Sequence, residues 1–164
     1  MNSAIDRSIG GREMVIADGK NHLTAVRELI GEYSSRLGRD LSFQDLEEEL
    51  KDPARKYTPP EGELLVALEG DETLGMVAYH RHSDVRCEMK RLYVRPKARG
   101  LHLGDALVTA IISHARNAGY KEMVLDTILP LKAAISLYKK NGFHECEAHY
   151  RNPMSDVIYM RKEL

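Results

Sequence analysis

The chain has no excess of charge of either sign and few aromatic side chains. Its 24 Lys and Arg residues are balanced by 25 Asp and Glu residues, and aromatic residues make up only 6% of the sequence. A nucleic-acid-binding surface is typically basic and interleaved with aromatic side chains, so this composition disfavours a nucleic-acid partner. Any site for an anionic ligand must therefore be local.

Cysteine is rare, and long apolar runs are absent. The two cysteines, Cys87 and Cys146, could form one disulfide, but the lack of a secretory signal favours two thiols in a reducing cytoplasm. The start, MNSAIDRSIGGRE, contains no apolar segment, and residues 1–12 are predicted to be a disordered tail. No stretch approaches the roughly 18 apolar residues of a membrane span, so no membrane partner is expected.

Residues 13–164 have the length and patterning of one α/β domain. Apolar periodicity predicts strands at 13–17, 63–70, 72–81, 85–96, 121–127, 143–150 and 155–164, and helices at 19–38, 41–52, 102–119 and 130–142. Ser42 is the predicted N-cap of the second helix, and 53–62 reads as a loop. Short links favour antiparallel pairing, whereas the late strand–helix–strand unit requires parallel strands. We predict one mixed, mostly antiparallel sheet of six to seven strands, flanked by about four helices.

One predicted strand breaks its own alternation. Leu92 and Val94 share one parity, and Met89 has the other. A β-bulge between them would place all three side chains on one face of the sheet. Bulges of this kind splay neighbouring strands and can open a slot between them.

The segment that follows, RPKARGLHLGDAL, has the features of an anion site. Pro96 ends the strand, and Arg99 and Gly100 lead into a helix whose first N–H groups have no partner within the helix. These amides and the helix dipole favour a phosphate, and Lys97 adds positive charge. An ordinary loop with solvated basic side chains is the alternative. The two common nucleotide motifs, G-x-x-x-x-G-K-S/T and G-x-G-x-x-G, are not matched.

The run LYVRPKARGLHLGDALV, followed by LDT and AAISLYKKNGF, resembles the acyl-CoA-binding core of the GNAT superfamily of N-acetyltransferases. The family carries Q/R-x-x-G-x-G/A at this turn. Arg99 and Gly104 match that pattern, and His102 occupies the central glycine position. A histidine there is tolerated if only its N–H is used and its φ is helical.

The resemblance implies a cosubstrate, acetyl-CoA, and no metal. In the family the turn binds the CoA pyrophosphate, and the strand before it hydrogen-bonds the pantetheine arm as an added strand would. The backbone N–H near Val94 would face the thioester carbonyl. By position, the cofactor-binding residues are Leu92, Tyr93, Val94, Arg99, Gly100, Leu101, His102, Leu103 and Gly104.

Two catalytic candidates come from the same resemblance. Glu88, six residues before Val94, occupies the position of a general-base glutamate in the histone-modifying branch; a surface carboxylate paired with Lys90 or Arg91 is the alternative. Tyr138 matches the tyrosine that usually protonates the leaving thiolate, and it also lies on an apolar helical stripe, as a core aromatic would. Leu131 stands where the family often has asparagine, so one polar contact to the cofactor is missing.

The acceptor is expected to enter opposite CoA, between the N-terminal helices and the last strands. Candidate acceptor-binding residues are Tyr33, Arg91, Tyr150 and Asn152, and an arginine would suit an acceptor with a carboxylate. The segment HECEAH is not expected to bind a metal, because His144 and Cys146 share a strand face that His149 does not.

The leading interpretation is direct acetyl transfer to a primary amine of a small molecule, amino acid or peptide. A non-catalytic acyl-CoA-binding or regulatory module is the alternative, and a fold whose cofactor site is blocked by His102 is a third. A homodimer is open, through an edge strand such as 155–164.

Overall fold

The computed structural model describes residues 5–9, 12–40 and 44–164, with residues 5–9 and 12 described by their backbone alone. Eight strands form one sheet in the order β1-β2-β3-β4-β5-β6-β8-β7. All neighbours are antiparallel except β5 and β6, which run parallel. The strands are β1 Ile5–Ile9, β2 Arg12–Asp18, β3 Glu63–Glu69, β4 Glu72–Arg81, β5 Arg86–Val94, β6 Glu122–Ile128, β7 His144–Glu145 and β8 Val157–Glu163.

Helices cover both faces of this sheet. They are α1 Leu23–Leu37, α2 Leu46–Lys51, α3 Pro53–Lys56, α4 Leu103–Asn117 and α5 Lys132–Lys140. Short 3-10 helices occupy Gly19–Asn21 and Pro96–Ala98. The predicted fold class, a mixed and mostly antiparallel sheet flanked by helices, is confirmed, and β2 to β8 correspond to the seven predicted strands.

The helix α4 supplies the larger core. Leu107 and Ile111, four residues apart, are fully buried against the sheet, as the apolar spacing predicts. Burial of each such side chain contributes about 1.5–3 kcal/mol. On the opposite face, Val26, Leu29 and Ile30 of α1 are fully buried in a second core. The sheet is therefore held between α4 on one face and α1 on the other.

Local structure departs from the predictions at the N-terminal side. Ile5–Ile9 lies within the predicted tail but forms β1, because its backbone pairs with β2. Residues 1–4, 10 and 11 lie outside the described residues. The second helix begins at Leu46 with Asp45 as its N-cap, and the predicted cap, Ser42, lies outside the described residues. The predicted loop 53–62 contains α3, because Pro53 suits a first helical position and the Asp52 side chain caps the Ala54 N–H.

The C-terminal strands also differ in extent. The predicted strand 143–150 shortens to β7, His144–Glu145, and the chain then leaves the sheet. The segment 155–164 is not an edge strand, because β8 lies between β6 and β7. The edges of the described sheet are β1 and β7. Within the described ranges, no helix combines the length and the apolar character that crossing a bilayer requires.

Candidate functional site

The predicted bulge in β5 is confirmed. Met76 and Ala78 of β4 pair with Tyr93 and Lys90, so β5 carries one more residue than β4 over this interval. Arg91 lies in the extra stretch and has a left-handed backbone, with φ +61°. This conformation costs a non-glycine residue about 1–2 kcal/mol.

The bulge has the predicted effect on side chains. Met89, Leu92 and Val94 all contact the α4 core, although their sequence parity differs. Tyr93 points to the opposite face, where its hydroxyl donates to Glu32 at 3.1 Å. The expected pantetheine strand, Leu92 to Val94, therefore starts within the bulge at Leu92 and returns to regular pairing with β4 at Tyr93 and Val94.

The strands β5 and β6 diverge after a short parallel contact. Their pairing covers only Arg86–Glu122, Cys87–Met123 and Glu88–Val124. Both strands continue past this point, and in the described part of the chain a cleft opens between them. The cleft is lined by Tyr33, Met89, Lys90, Arg91, Leu92, Asp126, Leu131, Tyr138, Asn152 and Met154, among others.

The turn before α4 has the backbone geometry of an anion site. Gly100 and His102 both have positive φ, +83° and +56°, and the first helical hydrogen bond runs from the Ala106 N–H to the His102 carbonyl. The amides of Leu103, Gly104 and Asp105 precede that bond, at the positive end of the dipole. The turn therefore leaves several N–H groups without a partner within the helix, as an anion site at a helix N-terminus requires.

The basic side chains of this turn differ in availability. Arg99 is exposed, and its Nε donates to the Val94 carbonyl at 3.3 Å, which ties the turn to the end of β5. Lys97 is instead paired with Glu72. Leu101 and Leu103 contact the α4 core, so their contribution to a bound ligand comes from the backbone.

His102 does not meet the condition under which a histidine was expected to be tolerated. Its φ is left-handed rather than helical, a conformation that favours glycine, although histidine adopts it more often than most residues. Its side chain is exposed, so the ring does not fill the turn. Gly104 has a different reason to be small: a Cβ there would lie 3.1 Å from Leu137 Cδ2 on α5.

Tyr138 on α5 lines the cleft and is buried, with its ring edge-to-face on Phe143 at 5.9 Å. Burial raises the pKa of its hydroxyl well above the ordinary value, and the nearby Tyr33 and Asp126 act in the same direction. The phenol therefore carries its proton at neutral pH, as a proton or hydrogen-bond donor must.

Glu88 belongs to the last parallel pair before β5 and β6 diverge and is buried among cationic and imidazole groups. Its Oε1 is 2.8 Å from Lys90 Nζ and 3.7 Å from His80 Nε2, and its Oε2 is 3.2 Å from His149 Nε2. Burial raises the pKa of Glu88, but the interactions with His149, His80 and Lys90 outweigh burial and hold it far below its usual range. Glu88 is therefore ionised and, by itself, a weak base.

Asp126 of β6 completes this group, which we call the buried polar cluster: Glu88, Lys90, Asp126 and His149. Asp126 Oδ1 is 3.8 Å from Lys90 Nζ, and Oδ2 accepts from Tyr150 at 2.6 Å and from Asn152 at 3.0 Å. The predicted acceptor residues Tyr150 and Asn152 thus act together on one carboxylate. Sequence reasoning missed Asp126, whose only local signal is its place on β6 beyond the last parallel pair. It named Lys90 only as a surface partner of Glu88, whereas the pair is buried.

The other two predicted acceptor residues contact each other. The Arg91 guanidinium lies 5.6 Å from the Tyr33 ring, donates to Glu49 at 2.8 and 3.2 Å and donates to Gln44 at 2.8 Å. Its side chain is only 1% exposed. Through these contacts Arg91 anchors α2 on β5. Its guanidinium is therefore not free to bind an acceptor carboxylate.

Potential metal ligands converge at one place in the described part of the chain. Donor atoms of Glu88, Asp126 and His149 lie within 4.8 Å of one another, and the HECEAH segment contributes only its last histidine. The ammonium of Lys90 lies among these donors and already compensates part of their charge.

Comparisons with known proteins agree with this geometry. The profile of the Acetyltransferase (GNAT) family matches residues 23–143. An uncharacterised N-acetyltransferase of Schizosaccharomyces pombe is 49% identical over 138 residues, which cover 83% of this chain and 85% of that protein.

Solved structures give the same result. An acetyltransferase from Streptococcus agalactiae superposes with a TM-score of 0.77 at 26% identity, covering 92% of this chain and 98% of its own. A GNAT family acetyltransferase from Elizabethkingia anophelis with acetyl-CoA bound has a TM-score of 0.56 at 25% identity, covering 63% of this chain and 77% of its own. This chain therefore belongs to the acetyltransferase (GNAT) family.

Proposed function

We propose that the protein is an acetyl-CoA-dependent N-acetyltransferase that moves an acetyl group directly to a primary amine of a small molecule, amino acid or peptide. The observation that carries this proposal is the cleft between β5 and β6. The turn before α4, whose first helix amides have no partner within the helix, follows the end of β5, and Lys90 and Asp126 of the buried polar cluster line the cleft. The acetyl-CoA bound to the structural neighbour from Elizabethkingia anophelis supports the choice of cosubstrate.

The residues of the turn fit a pyrophosphate. Gly100 and His102 turn the chain with positive φ, the amides before Ala106 have no partner within the helix, and Arg99 is exposed four residues before the first residue of α4. The edge of β5 beyond Glu88 is not paired with β6 in the described structure, so its backbone can bind an extended pantetheine arm as an added strand would. The expected oxyanion contact is the N–H near Val94.

The chemistry has two proton transfers. An alkyl ammonium has a pKa of about 10.4 and must lose a proton before it attacks a thioester. We assign Tyr138 as the proton donor to the leaving thiolate, because its buried hydroxyl stays protonated. We assign Glu88 to the acceptor side of the reaction. Its own carboxylate is a weak base, so its role there is to position the groups that it contacts.

A direct transfer fits the cysteines better than an acyl-enzyme does. Cys87 is buried, and burial raises the pKa of its thiol to about 12, so it holds little thiolate at neutral pH. Cys146 is half-buried, and its thiol pKa is also raised by burial. A cytoplasmic location suits two free thiols and stays a prediction, as does a homodimer.

The proposal is tested by calorimetric titration with acetyl-CoA, followed by an assay of CoA thiol release with a panel of amines, amino acids and peptides. The proposal expects 1:1 acetyl-CoA binding and turnover with at least one amine. Binding without turnover on the whole panel would favour the non-catalytic acyl-CoA-binding module. No binding, restored by His102→Gly, would favour a blocked cofactor site.

A further inference from the structure

Two cationic side chains line the cleft in the described part of the chain, and neither is free. Arg91 is 1% exposed, and Glu49 and Gln44 accept its hydrogen bonds at 2.8 to 3.2 Å. Lys90 is 9% exposed, and its Nζ lies 2.8 Å from Glu88 Oε1. Each charge is thus compensated by a carboxylate of the protein itself. A carboxylate on an acceptor would have to break one of these buried pairs to gain a cation of its own.

Asp126 is an anionic side chain that lines the same cleft. Its Oδ2 accepts hydrogen bonds from the Tyr150 hydroxyl at 2.6 Å and from Asn152 Nδ2 at 3.0 Å. Within the described residues Oδ1 accepts no hydrogen bond, since Lys90 Nζ lies 3.8 Å away. The side chain is 12% exposed, so water screens its charge only in part. Asp126 therefore offers an acceptor both negative charge and an oxygen able to accept a hydrogen bond.

The charges in and directly behind the cleft have a negative balance. Glu88 compensates Lys90, and Glu49 compensates Arg91. The carboxylate of Asp126 is the third anion against these two cations, and its distance of 3.8 Å from Lys90 Nζ is longer than that of the Glu88 pair. The lining therefore attracts a cation and repels an anion.

The charge of Asp126 extends to side chains expected to surround the reacting groups. Burial raises the pKa of the hydroxyls of Tyr33 and Tyr138, and the charge of Asp126 acts in the same direction on both. Lys56 of α3 also interacts with charges behind the cleft, but it is exposed and is not among the described residues that line the cleft. The negative charge thus acts inside the cleft, on the side where an acceptor would lie.

We propose that the cleft selects acceptors that carry no carboxylate beside the amine, such as alkyl amines and peptide amines, and that Asp126 determines this selectivity. The inference rests on the proposed function and narrows its acceptor class, because free amino acids become poor substrates. An ammonium is attracted by Asp126, whereas a carboxylate is repelled by it and meets lining cations that are already paired. At an effective dielectric constant of about 20, a unit charge at roughly 10 Å changes the binding of a charged group about tenfold.

The test uses sets of three acceptors that share one side chain: a free amino acid, its carboxamide, and the amine without the carboxyl group. Release of the CoA thiol is expressed per concentration of free amine, because the three amines differ in basicity. In wild type, kcat/KM should agree within a few-fold for the amine and the carboxamide. It should be at least tenfold lower for the free amino acid, mainly through KM. The carboxamide and the carboxylate are nearly equal in size, so their comparison separates charge from bulk.

Asp126→Asn should reduce the preference for the carboxamide over the amino acid to about threefold or less, because it removes the repelling charge. Its amide oxygen can still accept from Tyr150 and Asn152, which preserves the hydrogen bonds of that segment. The matched control is Asp84→Asn, the same change at a side chain that is 89% exposed and outside the cleft lining, and it should keep the wild-type preference. Equal melting temperatures and equal acetyl-CoA affinity would exclude a folding defect.

A free amino acid that is acetylated as well as its carboxamide would overturn the inference and leave the proposed function intact. A preference that persists unchanged in Asp126→Asn would overturn the role of Asp126. If Asp126→Asn does not fold, Asp126→Ser removes the same charge with a smaller side chain, and the wild-type ratio of carboxamide to amino acid still decides the acceptor class. A wild type that acetylates none of the acceptors would overturn the proposed function together with the inference.

Discussion

Replacement of Arg91 by methionine should destabilise the protein strongly, because it removes the cation from a buried carboxylate. The side chains of Arg91 and Glu49 are 1% and 2% exposed, and two hydrogen bonds of 2.8 and 3.2 Å join them. Tyr57 adds a third hydrogen bond to Glu49 at 2.7 Å. Removal of one partner from such a buried pair costs about 3–5 kcal/mol, since the other charge is left without compensation.

The expected change is large enough to measure directly. For a chain of 164 residues, each kcal/mol lowers the melting temperature by about 2–4 °C, so Arg91→Met should melt roughly 6–20 °C below wild type. The double variant Glu49→Gln with Arg91→Met has no buried charge at this place and should recover more than half of that loss. Thermal and urea unfolding, monitored by circular dichroism, measure the stability of the single and the double variant. A loss below about 1 kcal/mol, typical of surface pairs, would refute the assignment of this ion pair as a buried anchor.

The ion pair of Arg91 and Glu49 also makes the free energy of unfolding depend on pH. Burial raises the pKa of Glu49, but the hydrogen bonds and charge of Arg91 and the Tyr57 hydroxyl outweigh it, so the folded-state pKa lies below the ordinary 4.5. The stabilisation is therefore present above pH 4.5 and is lost as the pH falls through the folded-state pKa. The difference in stability between wild type and Arg91→Met should narrow below pH 4.5, and a constant difference down to pH 3 would contradict this linkage.

Three further predictions concern the cleft and the turn. Tyr138→Phe should lower kcat by about 10-fold or more with little change in acetyl-CoA affinity, and unchanged turnover would remove Tyr138 from the mechanism. Gly104→Val should weaken acetyl-CoA binding and cost about 1–3 kcal/mol of stability, because its side chain meets Leu137; calorimetry and thermal unfolding measure both. His102→Gly should retain or strengthen acetyl-CoA binding, because glycine adopts the left-handed conformation without strain, and a tenfold weaker affinity would show that the imidazole itself contacts the ligand.

Features encoded by local pattern could be predicted from the sequence. The bulge follows from the parity of Met89, Leu92 and Val94, because the side-chain period of a strand is two and the core lies on one face. The helix α4 follows from its apolar spacing, and the turn before it from proline, glycine and basic residues. These signals are contained in short windows of sequence.

Features that depend on distant partners could not be predicted. Asp126 and His149 reach Glu88 from β6 and from the segment after β7, and only the tertiary fold brings them together. Arg91 looks like a free arginine in the sequence, but its partner Glu49 lies 42 residues earlier. The φ of His102 is likewise invisible, since an exposed histidine before a helix is compatible with more than one backbone conformation.

The three-residue contact between β5 and β6 has a mechanical consequence. Together with the hydrogen bonds from the Lys121 and Glu122 N–H groups to the Val85 carbonyl, it joins the five-stranded unit β1–β5 to the three-stranded unit β6–β8 in the described sheet. A ligand that binds along the unpaired edge of β5 takes the place of a paired strand there. It would extend the contact between the two units beyond the three residue pairs of β5 and β6. Occupancy of the cleft by an extended ligand should therefore slow amide hydrogen exchange in β6 and β8, because the ligand takes the place of a neighbouring strand along β5.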